Sequence, residues 1–276
     1  MIIYIFFIVV FIIFCAGQLR SLIMLMISVT RKRAGITSEI TDPYPGVLIQ
    51  IPVYKEGWEV KDAAIAAMMQ DYPKEKLAVQ IIDDSPEHYH DLVRYLQTEA
   101  ERIGVQFEYL NRTSRHGYKS GALNYGMQFS DHELITVLDA DFILVPDFLK
   151  KSVGYFKDEN MAGVQTSWLY RNHFENAITA TQATIFETIF ALEQRGRSNL
   201  GSPALFTGTS GIWRRSVILE IGGWRETPFT AEDIDLSFRS YHRGYQFSYI
   251  DQHLSTCEAT SSFIAFKHQQ QRWSRG

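Results

Sequence analysis

Residues 47–82, VLIQIPVYKEGWEVKDAAIAAMMQDYPKEKLAVQII, carry two short apolar runs, Val47-Leu48-Ile49-Gln50-Ile51 and Leu77 to Ile82, on either side of the amphipathic stretch Trp58 to Met69. The runs have strand length and the stretch between them has helix length, so the segment reads as a βαβ unit. The alternation continues through His88 to Ile103, Val105 to Leu110, a helix from about Lys119 to Phe129, and the run Leu134-Ile135-Thr136-Val137-Leu138. Runs apolar on both faces need cover on both faces, which makes the class α/β with a parallel sheet in the first half. Ligands of such sheets bind at the carboxyl ends of strands. What stands there is acidic: Asp83-Asp84 after one strand and Asp139-Ala140-Asp141 after another.

Working outward, Thr41-Asp42-Pro43-Tyr44-Pro45-Gly46 stops any helix and reads as the end of a linker over 31–46. Upstream, Met1 to Leu19 is uncharged and would reach roughly 28 Å as a helix, close to a hydrocarbon core of about 30 Å. Arg20 interrupts the apolar residues, Ser21 to Thr30 resume them, and Arg31-Lys32-Arg33 follow as a basic cluster. The expectation is a transmembrane anchor over 1–30 with its C-terminal side in the cytoplasm. A secretory signal peptide is the competing reading, but no positive region precedes the apolar run. Arg20 can snorkel to an interface, leaving Ser21 to Thr30 to continue out of the bilayer or along it. Downstream, Asn176 to Arg195 and Glu232 to Arg243 have helix spacing, Gly201 to Gly211 reads as loop, and Ser261 to Trp273 is amphipathic with Phe263, Phe266 and Trp273 on its apolar side.

The balance of 27 basic against 31 acidic residues, a net charge of −4, excludes a generally basic nucleic-acid binder. Two distant cysteines, Cys15 and Cys257, exclude a disulfide framework and a cysteine-rich zinc site and point to a reducing compartment.

Several constellations carry chemistry, and each also has a purely structural reading. Asp139 and Asp141 repel each other unless a cation intervenes, which suggests Mg²⁺ or Mn²⁺ shared with substrate phosphates; a strand-end turn capping the next helix is the alternative. In Asn111 to Asn124 (NRTSRHGYKSGALN), Arg115, His116 and Lys119 surround a glycine ahead of a helix, a phosphate contact or else a solvated basic loop. Glu232, Asp233 and Asp235 at a helix start either complement the dipole or supply a general base. Gln269-Gln270-Gln271-Arg272-Trp273 offers a guanidinium for phosphate and a flat platform for a sugar ring, or is an ordinary amphipathic helix. There is no Walker A motif and no GxGxxG after the first strand.

The order of the pieces matters more than any one of them. Pro52-Val53-Tyr54-Lys55-Glu56, Ile82-Asp83-Asp84-Ser85, Gly117 to Asn124, Asp139-Ala140-Asp141, Gly208-Thr209-Ser210-Gly211, Gly222-Gly223-Trp224, Glu232-Asp233 and Gln269-x-x-Arg272-Trp273 follow one another as in family-2 inverting glycosyltransferases. The chain resembles their membrane-bound processive branch, which includes cellulose synthase, the glucomannan and xyloglucan-backbone synthases and hyaluronan synthase. The resemblance covers 47–276, as a nucleotide-binding half over 47–141 and an acceptor-binding half over 142–276. It implies a GT-A fold, a Rossmann-like mixed sheet covered by helices, with a UDP- or GDP-sugar donor and a divalent cation. By the resemblance, Tyr54, Glu56, Asp83 and Asp84 line the nucleoside pocket, Lys119 approaches the nucleotide, and Asp139 and Asp141 hold the metal and diphosphate. Asp233 is the base, Gln269, Arg272 and Trp273 close over the diphosphate and the acceptor end, and Gly208, Thr209 and Ser210 lie near the acceptor. The expected partners are the donor, a glycan or lipid acceptor, the lipid bilayer and a membrane partner subunit, with no nucleic acid. The expected activity is transfer to a growing β-linked polysaccharide. Glycolipid synthesis, with one sugar added to a ceramide or diacylglycerol, is the alternative, and an inactive nucleotide-sugar-binding subunit is a minor one.

Two departures qualify the resemblance. Ala231 stands where the family's TED motif has Thr, a position that also varies among mannan-synthase-like members. The sequence also stops three residues after Trp273, where processive relatives continue into further membrane helices. The expectation is therefore either a fragment or an enzyme that forms no channel of its own.

Overall fold

The computed structural model describes residues 2–30, 43–200, 202–226 and 231–274. The basic cluster Arg31-Lys32-Arg33, the linker up to Asp42 and Gly201 of the expected loop lie outside the described residues.

Strands β1 (Val47–Val53), β2 (Leu77–Asp83), β3 (Gln106–Asn111) and β4 (Leu134–Val137) pair in parallel in the spatial order β3-β2-β1-β4. The connections carry α2 (Lys61–Met68), α3 (His90–Ile103) and α4 (Tyr118–Gly126), as the alternating sequence pattern requires. β2 is buried at every position and β1 at all but Pro52, because helices cover both faces of the sheet. The polar exceptions within these runs bond each other. Gln50 and Gln80 are opposed in the β1/β2 register, and Gln50 Nε2 donates to Gln80 Oε1 at 2.9 Å. Gln80 Nε2 passes on to Glu108 at 2.7 Å.

The second half adds β5 (Ile143–Leu144), α5 (Phe148–Ser152), β6 (Met161–Tyr170), α6 (Ala177–Thr188), α7 (Arg195–Asn199), β7 (Gly211–Arg214), α8 (Arg215–Glu220), α9 (Glu232–His242), β8 (Gln246–Cys257) and α10 (Phe263–Trp273). The strands complete one eight-stranded mixed sheet in the order β3-β2-β1-β4-β7-β6-β8-β5. β7 runs antiparallel to both neighbours and so reverses the sheet beside β4. The long strands β6 and β8 go beyond the sequence reading, because polar residues break their apolar patterns. Gln165, Thr166 and Ser167 are fully buried within β6, where they bond backbone and side-chain partners in neighbouring segments.

The stretch expected as one helix from Asn176 to Arg195 is α6, a π-helical segment Ile189–Gln194, then α7. Asn176 caps α6, accepting from the backbone N–H of Ile178 at 2.8 Å and of Thr179 at 3.1 Å. At the N-terminus α1 (Ile2–Thr30) runs as a single helix through Arg20, and among the described residues Val10–Thr30 is long and apolar enough to cross a membrane. Its C-terminal third packs on the π-helical segment and α7. The Arg20 guanidinium, expected at a lipid interface, forms a two-pronged ion pair with Glu193 at 2.7 and 2.6 Å.

Candidate active site

The carboxyl ends of β1, β2 and β4 open on one side of the sheet, and the expected site residues collect there. After β4 the chain turns at Asp139, whose backbone N–H donates to Thr209 Oγ1 at 3.0 Å. Its carboxylate takes the Lys119 ammonium at 2.5 Å, and the same ammonium donates to the Gly208 carbonyl at 2.9 Å. Burial by itself would lower the Lys119 pKa, but the carboxylates of Asp139, Glu232 and Asp233 outweigh it and raise it. Lys119 is therefore a firmly held cation at the meeting point of two acidic groups.

Lys119 reaches this point because α4 starts tightly. A methyl group on Gly121 would lie 2.1 Å from the His116 carbonyl, so only glycine lets the basic loop fold against the helix it precedes. The facing loop has a similar requirement. Gly208 sits at φ +83°, a left-handed conformation that favours glycine, and an added methyl would stand 3.3 Å from Asp233 Oδ2 and 3.8 Å from Lys119 Nζ.

Asp233 lies in the first turn of α9, where Oδ1 accepts from the Ile234 N–H at 2.8 Å while Oδ2 faces Gly208. Burial, then the adjacent Glu232, push its pKa up to about 6. Glu56, beyond the end of β1, is raised to about 7 by burial, with Asp139 and Asp141 adding to the effect against the Tyr54 N–H that its carboxylate accepts. Asp141 keeps much of its own surface accessible. It still stands in enough surrounding protein that desolvation, then Asp139, raise it to about 6, while Lys119 and Arg272 pull the other way. Glu56, Asp139, Asp141, Lys119, Asp233 and Arg272 thus act on one another electrostatically.

The remaining expected residues divide. Asp83 is fully buried, accepting from Ser85 N–H at 2.7 Å and from the Tyr109 hydroxyl at 2.5 Å, and Asp84 holds Arg112 in a fork at 2.5 and 2.6 Å. Tyr54 carries the Arg115 guanidinium 3.4 Å from its ring centroid. These three residues form a polar flank at the β1 and β2 ends, apart from the cluster around Lys119. Thr209 and Ser210 are buried. Thr209 Oγ1 is committed to Asp139 N–H and the Ser210 hydroxyl to Ser255 at 2.6 Å, so both side chains hold the loop in place. Gln269, Arg272 and Trp273 lie on α10. Trp273 meets Phe186 of α6 edge to face at 5.7 Å, and Gln269 Oε1 is a buried acceptor with no partner among the described residues.

Two supporting groups were not anticipated from the sequence. Ser237 Oγ donates to the Asp233 carbonyl at 2.8 Å and accepts from Phe206 N–H at 2.9 Å, joining α9 to the loop that carries Gly208. Gln165 Oε1 accepts from Thr207 N–H at 2.9 Å, and its Nε2 donates to the Thr209 carbonyl at 3.1 Å. A polar residue inside a helix or a strand is the only sequence signal that Ser237 and Gln165 leave, and it does not reveal its partner.

Comparison with known proteins places the chain in a family and a fold. Residues 134–276, just over half of the chain, match the family described as Glycosyl transferase family group 2. Probable glucomannan 4-beta-mannosyltransferase 7 of Oryza sativa subsp. japonica is 36% identical over 238 residues, covering 84% of this chain and 40% of the relative. Glucomannan 4-beta-mannosyltransferase 2 of Arabidopsis thaliana is 36% identical over 240 residues, covering 84% and 44%. The chain thus spans less than half the length of these curated relatives. Among solved structures, the mannosyltransferase PcManGT from Pyrobaculum calidifontis, in complex with GDP-Man and Mn²⁺, superposes with a TM-score of 0.70 at 19% identity, covering 94% of this chain and 70% of that one. S. aureus TarS in complex with UDP-GlcNAc gives 0.57 at 13% identity, over 79% and 59%. These structures share the GT-A fold expected from the order of motifs. The family match and the relatives together show that the chain belongs to the glycosyl transferase group 2 family.

Proposed function

We propose that the chain carries the catalytic domain of a membrane-anchored, inverting hexosyltransferase that extends a β-linked polysaccharide, with mannose the sugar favoured by the relatives' names and GDP-mannose the donor favoured by the PcManGT complex. The observation that carries this reading is the position of Lys119, one ammonium spanning Asp139 and the Gly208 carbonyl beside Asp233. An acid pair suited to a metal diphosphate and a half-buried base suited to a hydroxyl meet at that cation. In this reading α1 holds the domain at the bilayer, with the domain on the cytoplasmic side, and 47–141 and 142–276 serve donor and acceptor respectively.

The residues present fit a divalent ion. Asp139 and Asp141 form an oxygen-only pair, with Asp141 raised by burial and then by the neighbouring Asp139 charge. Among the described residues no cluster of three or more side-chain ligands exists, so an ion here would complete its coordination on the donor diphosphate. When bound, Mg²⁺ or Mn²⁺ would offset charge on the departing diphosphate. Lys119 and Arg272 add fixed positive charge on the same side. Asp233 Oδ2 takes the proton of the acceptor hydroxyl as that oxygen bonds to the sugar's anomeric carbon. The bond from that carbon to the diphosphate breaks, and GDP leaves with the electron pair. Attack from the face opposite the leaving group turns an α-linked donor into a β-linked product, with no enzyme nucleophile required. Tyr54, Asp83 and Asp84 would line the nucleoside end, and Gln269 and Trp273 the acceptor end.

The test is incubation of membranes containing the protein with radiolabelled GDP-mannose and, separately, each common UDP-sugar, followed by sizing of the product. Polymer formed from GDP-mannose is expected. A single-sugar lipid, or no incorporation from any donor, overturns the reading.

A further inference from the structure

The π-helical segment Ile189–Gln194 ends in two neighbouring polar residues that face opposite ways. Glu193 faces α1, where it takes both prongs of the Arg20 guanidinium at 2.7 and 2.6 Å, with Arg197 Nε at 3.5 Å. Gln194 faces the interior, is 3% exposed, and clasps one residue of the loop that leads to Gly208. Its Oε1 accepts from Leu205 N–H at 2.9 Å and its Nε2 donates to the Leu205 carbonyl at 2.7 Å. A π-helical turn widens the helix by one residue, which changes the faces on which successive side chains emerge. α1 is also seated closely just beyond, since a methyl on Gly196 would stand 2.9 Å from Met24 Sδ.

From Leu205 the path to the site is short. Phe206 N–H is held by Ser237, which bonds the Asp233 carbonyl, and Thr207 N–H is held by Gln165. At the next two residues, the Gly208 carbonyl receives Lys119 and Thr209 Oγ1 receives Asp139 N–H. Leu205 is the first residue of this loop that a buried side chain grips at both its N–H and its C=O, and the side chain belongs to the element that carries α1.

We propose that Gln194 is a positioning residue for the loop facing Lys119 and Asp233, and that the neighbouring Glu193 ties its setting to the docking of α1 through Arg20. The membrane helix then does more than localise the domain: it braces the turn from which the Gly208 loop hangs. The proposal builds on the catalytic reading, and its first readout is independent of turnover.

The test uses the full chain in detergent or nanodiscs and follows amide hydrogen exchange in the peptide spanning 203–210, with the β1 and β2 amides as an internal control. Gln194→Met, which keeps the volume and removes both bonds, is expected to speed exchange at Leu205 by about tenfold, the size of effect expected for lost hydrogen bonds. Gln194→Glu retains the acceptor and is expected to fall between. Arg20→Ala and Glu193→Ala are each expected to speed exchange in the same peptide by about threefold, and the double variant by no more than either single, because the pair acts as one unit. In transfer assays all of these variants lower kcat while the donor KM stays near that of the unaltered protein. Unchanged exchange in Gln194→Met with intact control amides overturns the positioning role. Unchanged exchange in Arg20→Ala and Glu193→Ala, or additive effects in the double variant, overturns the link to α1. Absence of transfer in the unaltered protein would refute the catalytic reading and leave the exchange result standing by itself.

Discussion

Replacing Asp233 by Asn isolates the proton-accepting role with little structural disturbance. The amide oxygen still accepts the Ile234 N–H that Oδ1 now takes at 2.8 Å, so the first turn of α9 keeps its bond. The side chain's volume next to Gly208 is also preserved. What disappears is a carboxylate raised to about 6 by burial and by Glu232. At pH 7 roughly nine-tenths of such a group is ionised and ready to take a proton. Removing a general base costs about 10²- to 10⁴-fold in kcat, or ~3–5 kcal/mol of barrier. Donor binding should hold or tighten slightly, since one negative charge near the diphosphate side is gone. The assay is the initial rate of labelled sugar transfer between pH 5 and 8, together with donor affinity by calorimetry. The unaltered enzyme should gain activity as pH rises through about 6, where Asp233 loses its proton, and the variant should lose that inflection along with most of its rate. A variant within about threefold of the original kcat, with the same pH profile, would refute the assignment, because no general base contributes so little.

Glu56 provides a second pH signal, read through stability. Its folded pKa, about 7, lies above the ordinary value of 4.5, so the folded state binds more protons than the unfolded state between those limits. Stability from this group is therefore full below about 4.5 and declines as pH rises toward 7. Glu56→Gln should reduce the fall in Tm between pH 5 and 7.5 by a few degrees in the metal-free, donor-free protein, measured by differential scanning calorimetry. Gly126→Ala should destabilise by about 1–3 kcal/mol in chemical denaturation, since the new methyl would lie 2.2 Å from Gln80 Oε1 and 2.5 Å from Gln50 Nε2 in the buried amide ladder. Ala231→Thr should stabilise by about 1 kcal/mol, because Ala231 is the N-cap of α9 and offers no side-chain acceptor there. Chelation with EDTA should stop transfer, and added Mg²⁺ or Mn²⁺ should restore it; full activity in EDTA would remove Asp139 and Asp141 as metal ligands.

The parallel half of the sheet was legible because its strands are short runs apolar on both faces, separated by helices of recognisable length. The acids of the site were legible for the opposite reason: Asp139, Asp141 and Asp233 stand where an apolar run ends or a helix starts, against the local hydrophobic pattern. β6 and β8 were not legible, since Gln165, Thr166 and Ser167 look like loop residues until their partners in neighbouring segments satisfy them. The hydrogen-bond partners of Thr209 and Ser210 were equally hidden, since Asp139 N–H and Ser255 reach them from distant segments.

By itself, then, the sequence determined the α/β class, the apolar N-terminal helix, and the identity and order of the candidate site groups, because each depends on residue type and local spacing. Only the tertiary structure decided which of those groups act on one another. Lys119 meets Asp139 and Gly208 across separations of 20 and 89 residues, and Arg20 meets Glu193 across 173. Bonds at such separations depend on how the sheet reverses at β7 and where the π-helical turn points its side chains, and no local pattern encodes either. Chain topology sets which charges become neighbours, and through those neighbours the raised carboxyl groups and the bridging ammonium of the candidate site.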